Sequence, residues 1–197
     1  MKRLFVGLSI LMLFLITTSV YGGAPMDAVK TNADKVLDVL RDPKLKAPSA
    51  KEIKKENLRV IYVNMFDEVE LSRRSLGMNW NKLNADQRQE FVKLFEQVLE
   101  KAYADKILAY TNEKIEFSRE SMASGTMAEV QTKVLTTSKD IPITYRVILK
   151  NGVWKVYDVV IENVSLVQNY RTQFNDILAK NTPEQLLDIL RKKVNAQ

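Results

Sequence analysis

Apolar residues in the first half of the chain recur every three or four positions, which is the spacing of amphipathic helices. The pattern predicts a first helix over residues 26–41, which ends before Pro43. It predicts a second helix over residues 50–71, where Ser49 and Glu52 have the spacing of a capping box.

A third and longer helix is predicted over residues 85–110, with Asn84 and Gln87 as its capping box. Its apolar stripe is broad and bulky and consists of Phe91, Leu94, Phe95, Val98, Leu99, Ala102, Tyr103, Ile107 and Leu108. A stripe of this width must be buried against a large surface. We therefore expect one face of a sheet to lie on this helix.

Beyond the third helix the period of the apolar positions changes from 3.6 residues to two, which indicates strands. A first strand begins with Ile115 and Phe117, and the others are predicted over residues 128–134, 143–149 and 153–161. Asn151 and Gly152 are a strong signal for a two-residue hairpin turn. The strands therefore form a four-stranded antiparallel meander.

Helices also close the chain, over residues 166–179 and, after Thr182 and Pro183, over residues 184–194. Helices before and after one antiparallel sheet define an α+β fold. The fourth strand has apolar residues on both faces, namely Trp154, Val156 and Val160 on one and Tyr157, Val159 and Ile161 on the other. Both of its faces are therefore expected to be covered.

The N-terminus has the pattern of a secretory signal peptide. Lys2 and Arg3 precede an almost wholly apolar run over residues 4–20, and small residues follow at Gly22 and Gly23. We expect cleavage after Gly22, which leaves residues 23–197 as a single domain exported to the bacterial periplasm. The alternative is a retained N-terminal membrane anchor, because the run is about the minimum length that spans a bilayer.

The composition, 46% hydrophobic and 27% charged, is that of a globular protein, and it excludes several classes of chemistry. With 0 Cys, the chain has no disulfide, no thiolate nucleophile and no cysteine metal site. With 0 His, it lacks the commonest general base and the commonest metal ligand. An enzyme on this chain would depend on carboxylates, Lys, Tyr, Ser or Thr, and catalysis is therefore not expected.

The charge pattern does not indicate nucleic-acid binding. Loss of Lys2 and Arg3 with the signal lowers the formal net charge by two from +6, and the remaining charges are dispersed. The acidic group of Asp67, Glu68 and Glu70 matches no calcium loop and is interpreted as solvated or helix-capping carboxylates. These exclusions favour a binding protein. Its apolar face either binds an apolar ligand or serves only as hydrophobic core.

Blocks of residues along the whole mature chain resemble signatures of the MlaC family, also called the toluene-tolerance auxiliary component of an ABC transporter. They are Leu76-Gly77, Trp80, Gln87-Arg88 and Phe91; Trp154, Lys155, Val156, Tyr157, Asp158 and Val159; and Val164-Ser165-Leu166-Val167, Asn169-Tyr170-Arg171 and Gln173-Phe174. The last block is the most specific. One departure is Asn163, where family members usually carry Gly, and Asn adopts left-handed backbone almost as readily.

This resemblance implies a cystatin-like, nuclear-transport-factor-like sheet with helices packed over it around an apolar cavity. It implies a monomeric periplasmic carrier that holds the acyl chains of a glycerophospholipid in that cavity, with the head group near its mouth. The carrier shuttles lipid between an outer-membrane lipoprotein–porin complex and the MCE-domain ring of an inner-membrane ABC transporter, and so maintains outer-membrane lipid asymmetry. No catalysis and no cofactor are implied, since the lipid is cargo.

The candidate lining residues are the bulky positions of the long helix, of the strands and of the helix after the last block. They are Phe66, Phe91, Phe95, Val98, Val130, Val134, Tyr145, Val147, Tyr157, Val159, Tyr170 and Phe174. Arg171, in an apolar neighbourhood, must find a phosphate or a carboxylate. It is interpreted either as a contact for the lipid phosphate or as an internal ion pair with Asp158 or Asp67. Trp80 and Trp154 are assigned to core packing.

Two other functions remain open at this point. One is a small enzyme of the same fold that acts on an apolar substrate. The other is an interaction protein whose apolar face docks another subunit and encloses no cavity.

Overall fold

The computed structural model describes residues 23–109 and 113–196. The predicted signal over residues 1–22 lies outside the described residues, as does the predicted end of the third helix at Tyr110. No helix within the described ranges is long and apolar enough to cross a membrane.

The helices are α1 (Ala24–Arg41), α2 (Lys51–Met65), α3 (Glu68–Leu76), α4 (Ala85–Leu108), α5 (Leu166–Leu178) and α6 (Pro183–Asn195). Short 3₁₀ turns at Pro43–Leu45, Pro48–Ala50 and Gly77–Lys82 connect the first four. The capping box of Asn84 and Gln87 is confirmed at the start of α4. Thr182 and Gln185 form another at the start of α6.

The prediction of one helix over residues 50–71 is wrong, because the helix is broken at Phe66 and Asp67. Phe66 forms a parallel bridge with Val156, and the Asp67 N–H donates to the Val156 carbonyl at 2.9 Å. The Asp67 carboxylate then caps α3 by accepting from the Glu70 N–H at 3.0 Å. The break thus follows from a strand that lies far along the chain.

The predicted capping box at Ser49 is also wrong. The 3₁₀ turn Pro48–Ala50 leads directly into α2, whose N-cap is Ala50 with no side-chain hydrogen bond. The Pro48 ring fits the first position of such a turn, and the turn takes the place of the cap.

The sheet has five antiparallel strands in sequence order, not the four that were predicted. They are β1 (Lys114–Ser124), β2 (Met127–Leu135), β3 (Asp140–Lys150), β4 (Val153–Ile161) and β5 (Val164–Ser165). The missed strand β5 forms because Glu162 and Asn163, at φ 49° and 68°, fold the chain back onto the end of β4. The predicted hairpin at Asn151 and Gly152 is confirmed, with φ of 52° and 78°.

The core is divided into two clusters on either side of β4. We call the first the sheet cluster; it joins α1, the end of α2 and one face of the sheet through Met26, Val29, Met65, Ala128, Val130, Val147 and Val156. We call the second the helical cluster; it lies among α3, α4, α5 and α6. Helices α1 and α2 contact β4, and so do α3 and α5. The expectation that both faces of β4 are covered is confirmed.

The prediction that the long helix packs against the sheet is wrong. Helix α4 packs chiefly on α6 and then on α3, whereas α1 lies against β1, β2 and β4. The wide apolar stripe of α4 is buried by other helices. For example, the rings of Phe91 and Phe95 pack against Phe174 of α5. The stripe specified a large apolar neighbour but not which one.

Candidate functional site

One face of the sheet is largely apolar. The register aligns Val130, Tyr145 and Val159 across three strands, and Ala128, Val147 and Val156 one step further along. Side chains on alternate residues share a face, so these belong to a single surface. Val130, Val147 and Ala128 are fully buried where α1 and the end of α2 cover them.

Around these fully buried residues the same face continues with half-buried apolar residues. We call this set the apolar sheet face; it consists of Ile115, Phe117, Val134, Ile141, Ile143, Tyr145, Val159 and Ile161. The fully buried Thr132 interrupts it, and its hydroxyl is paired because it donates to the Ile143 carbonyl at 3.0 Å. Burial raises the pKa of Tyr145 to about 12, and its hydroxyl therefore stays neutral at physiological pH.

The helices over this face differ in how firmly they are held. The Met26 N–H at the start of α1 donates to the Glu120 carboxylate of β1 at 2.8 Å, and three further turns of α1 contribute the buried side chains of Val29, Ala33 and Leu37. Helix α2 buries only Ile61 and Met65 completely, while its Ile53 and Val60 are 58% and 52% exposed. Helix α2 is therefore the less firmly packed cover.

The residues predicted to line a cavity fall into both clusters. Phe66, Val130, Val147, Tyr145 and Val159 belong to the sheet cluster or pack on it, and Val134 lies on the apolar sheet face. Those that belong to the helical cluster are Phe91, Phe95, Val98, Tyr170 and Phe174. Phe66 also packs against the helical cluster and thus touches both.

In the helical cluster the aromatic rings interlock. Phe91 and Phe95 each meet the ring of Phe174 edge to face at 5.2 Å between centroids, and Phe95 meets Tyr170 at 4.8 Å. Such pairs fill space closely and stabilise beyond their buried area. Strand β4 therefore lies between these aromatic residues and the predicted lining residues on the sheet.

Tyr157 lies away from the apolar sheet face. A β-bulge between β3 and β4 leaves it without a register partner, because Arg146 pairs with Asp158 and Val147 with Val156. Its ring instead lies 4.0 Å beneath the guanidinium of Arg74. A strand pattern of period two does not reveal a bulge, so the sequence placed Tyr157 with the wrong neighbours.

The alternative that Arg171 pairs with Asp158 or Asp67 is wrong. The Asp158 carboxylate, 2% exposed, accepts from Arg146 at 3.1 Å, from the Ser165 hydroxyl at 2.7 Å and from the Val167 N–H at 3.0 Å. Asp67 is bound to Lys150 at 2.7 Å. Both carboxylates are therefore occupied by other donors.

Arg171 instead lies in an open cleft of about 590 Å³ on the helical side of β4. Its Nε donates to the Arg74 carbonyl at 2.8 Å. We call this the cationic cleft; it is lined by Arg73, Arg74, Gly77, Met78, Asn79, Lys82, Arg171 and Asn175. Arginine guanidinium groups and lysine ammonium groups are the side chains that bind phosphates.

A second open cleft of about 400 Å³ lies between the α2–α3 junction and the β3–β4 hairpin, with Val63, Phe66 and Glu68 in its wall. Glu68 Oε1 is buried and has no hydrogen-bond partner. Burial, followed by the nearby charge of Glu96, raises the pKa of Glu68. The acidic group was predicted to be capping or solvated. Asp67 does cap a helix, whereas Glu68 has a buried carboxylate oxygen without a hydrogen-bond partner.

The candidate lining set left out several residues of the apolar sheet face, namely Ile115, Phe117, Ile141, Ile143 and Ile161. The available signal was their alternation within the predicted strands, which places them on the same face as Val134, Tyr145 and Val159. No group of three or more acidic side chains that could hold a metal ion occurs in the described parts of the chain. The chemistry of the site is therefore apolar contact bordered by cations.

Comparison with known proteins gives consistent results. The family model described as MlaC protein matches residues 30–192. The intermembrane phospholipid transport system binding protein MlaC of Haemophilus influenzae is 26% identical over 125 residues, which are 61% of this chain and 58% of that protein. This chain thus spans somewhat over half the length of that relative. The toluene tolerance protein ttg2D of Pseudomonas putida is 24% identical over 177 residues, 89% of this chain and 82% of that protein.

Among solved structures, a phospholipid-binding protein from Ralstonia solanacearum, determined in complex with a phospholipid, has the same fold. It superimposes with a TM-score of 0.79 at 23% sequence identity and covers 87% of this chain and 97% of its own. The resemblance found in the sequence motifs is confirmed by the family match, which spans most of the chain. The chain belongs to the MlaC protein family.

Proposed function

We propose that this protein is a periplasmic phospholipid carrier that holds acyl chains against the apolar sheet face, beneath α1 and α2. The observation that carries the proposal is the extent of this face, whose outer apolar residues are only half-buried whereas Ala128, Val130 and Val147 are fully buried. A core that served only for packing would have little reason to extend there.

The relatives support a lipid as the ligand. One is named as a phospholipid transport binding protein, and the Ralstonia solanacearum protein of the same fold was solved with a phospholipid. Burial of an acyl chain of about 16 carbons stabilises a complex by roughly 12 kcal/mol, at about 0.8 kcal/mol per methylene. Apolar contact alone therefore suffices to hold a lipid, and its release requires a partner that opens or competes for the site.

Within the set named from the sequence, we propose that Phe66, Val130, Val134, Tyr145, Val147 and Val159 contact the acyl chains. Phe91, Phe95, Val98, Tyr170 and Phe174 would form the rigid wall on the far side of β4, and their interlocked rings support this assignment. Arg171 lines the cationic cleft, and the ring of Tyr157 lies beneath Arg74 of that cleft. Arg171 has no carboxylate partner among the described residues, but it lies across β4 from the proposed acyl chains, so the phosphate contact predicted for it would be with a lipid other than the cargo.

The wider role follows from the family. We propose that the chain works as a non-enzymatic, monomeric shuttle between an outer-membrane lipoprotein–porin complex and an inner-membrane ABC transporter with an MCE-domain ring. Such a shuttle would maintain the lipid asymmetry of the outer membrane. The relatives' names, intermembrane transport and toluene tolerance, support it. The cystatin-like or nuclear-transport-factor-like description of the sheet stays a prediction.

The direct test is extraction of the purified mature chain, residues 23–197, with organic solvent, followed by lipid mass spectrometry. We expect about one glycerophospholipid per chain. A purified, folded chain that carries no lipid and takes none up from added phospholipid would contradict the proposal and would favour an interaction protein or an enzyme.

A further inference from the structure

Met78 projects from the 3₁₀ turn Gly77–Lys82 and is 91% exposed. A single exposed apolar residue is ordinary on a protein surface. Met78 differs in its setting, since it lines the cationic cleft together with arginine and lysine side chains. An apolar tip among cations is a combination that needs a specific explanation.

The cleft carries an excess of positive charge. Arg73 and Arg74 share one carboxylate, Glu70, at 2.7 and 2.6 Å. Lys82 and Arg171 form no ion pair with any described residue, and the polar neighbours Asn79 and Asn175 bond to each other at 2.7 Å. Four cations against one carboxylate leave the cleft strongly positive.

The turn that bears Met78 is held in place. The Arg88 guanidinium donates to the Trp80 carbonyl at 3.1 Å and lies over the Trp80 ring, which packs on the helical cluster. Gly77 has a φ of 57°, and a Cβ at this position would lie 3.5 Å from Nε of Arg171. The positive φ therefore favours glycine at this turn, whereas a Cβ would make only an ordinary contact with Arg171, and Met78 and the cations are presented by a fixed scaffold.

We propose that the cationic cleft with Met78 is a membrane contact that docks the protein on an anionic lipid bilayer. The cations would lie at the level of the lipid phosphates, while the unbranched Met78 side chain reaches the acyl layer below. This is the arrangement by which peripheral proteins bind the bilayer interface, through electrostatic attraction combined with a small apolar insertion. An acidic protein surface could also satisfy the charges, and it is the outcome indicated if anionic vesicles do not bind the protein.

The inference does not depend on the carrier proposal, because the cleft lies on the opposite side of β4 from the apolar sheet face. The test is co-sedimentation of the mature chain with vesicles. One set contains phosphatidylglycerol with phosphatidylethanolamine, and the other contains phosphatidylcholine alone. We expect binding to the anionic set only, and a loss of that binding at high salt.

Variants localise the contact. Lys82→Gln combined with Arg73→Gln should lower partitioning by about 25-fold, at about fivefold per cation, and Met78→Ser by about tenfold. The matched control, Lys44→Gln with Lys46→Gln, removes the same charge from exposed residues beside α1 and α2 and should change partitioning by less than about threefold.

Circular dichroism checks that each variant folds, and lipid extraction checks that Met78→Ser keeps the cargo of the parent chain. Equal binding to neutral vesicles, no binding to anionic vesicles, or an equal loss in the control pair would overturn the membrane contact. A parent chain that binds anionic vesicles as expected but carries no phospholipid would instead count against the carrier proposal alone.

Discussion

The buried carboxylate of Asp158 on β4 connects the sheet to α5. Asp158 accepts hydrogen bonds from Arg146 of β3 and from Ser165 and Val167 at the start of α5. One carboxylate thereby fixes the strand, the short turn after it and the helix N-terminus in a single geometry.

We expect Asp158→Ala to lower the free energy of unfolding by about 3 kcal/mol, because buried donors lose a charged acceptor. Urea unfolding followed by circular dichroism measures the change. The matched control, Asp140→Ala, removes one partner of the exposed ion pair with Lys133 at 3.8 Å and should cost less than about 1 kcal/mol. Equal losses in the two variants would contradict the assigned role of Asp158.

Glu68 and Glu70 lie on the same helix and should respond to pH in opposite directions. Burial raises the pKa of Glu68, so the folded chain keeps that proton to a higher pH than the unfolded chain. Its contribution to stability therefore falls as the pH rises through the raised pKa. Hydrogen bonds from Arg73 lower the pKa of Glu70, whose contribution is present above the unfolded pKa and is lost as the pH falls through the folded value.

Unfolding measured from pH 3 to pH 7 tests this pair. Glu68→Gln should be more stable than the parent chain at neutral pH, with an advantage that disappears in acid. Glu70→Gln should be less stable at neutral pH, with a deficit that disappears in acid. Shifts of the same sign in both variants would show that the surroundings of the two carboxylates are misassigned.

Among the elements, the features set by local chemistry could be predicted from the sequence. The cap of α4, the start of α6 at Thr182 and the turn at Asn151 and Gly152 each depend on neighbouring residues only. The features that failed depend on distant partners. The break at Phe66 exists because Val156 offers a backbone bridge, and the displacement of Tyr157 follows from a bulge opposite Arg146.

The candidate site could likewise be predicted only in part. The strand alternation placed Val130, Tyr145 and Val159 correctly on one face. We also expected the bulky stripe of α4 to pack on this sheet. Periodicity shows that a helix face is buried, but it does not show which element buries it. In the structure α6 and α5 fill that role.

The separation of the two clusters predicts separate effects for their residues. Phe95→Ala should lower the free energy of unfolding by about 3–5 kcal/mol, because it removes a fully buried ring from the helical cluster. The lipid recovered per folded chain should stay unchanged, since β4 separates this ring from the apolar sheet face. A variant that folds stably but carries no lipid would place Phe95 in the binding site and contradict the division.

At the scale of the whole molecule, β4 separates two different surfaces. On one side, the apolar sheet face lies under a firmly docked α1 and a lightly packed α2. On the other, the aromatic helical cluster supports a cationic cleft. In the proposed function the acyl chains lie on the first side, and the proposed membrane contact uses the second.

The most direct test of the central claim compares the lipid content of two adjacent substitutions on β3. Ile143 is on the apolar sheet face, and Thr144 points to the other face of the sheet. Ile143→Glu places a charge where acyl chains are proposed to lie and should reduce the phospholipid recovered by mass spectrometry at least tenfold. Thr144→Glu should retain about one phospholipid per chain, as in the parent protein. Equal lipid content in the two folded variants would contradict the claim that this face of the sheet holds the lipid.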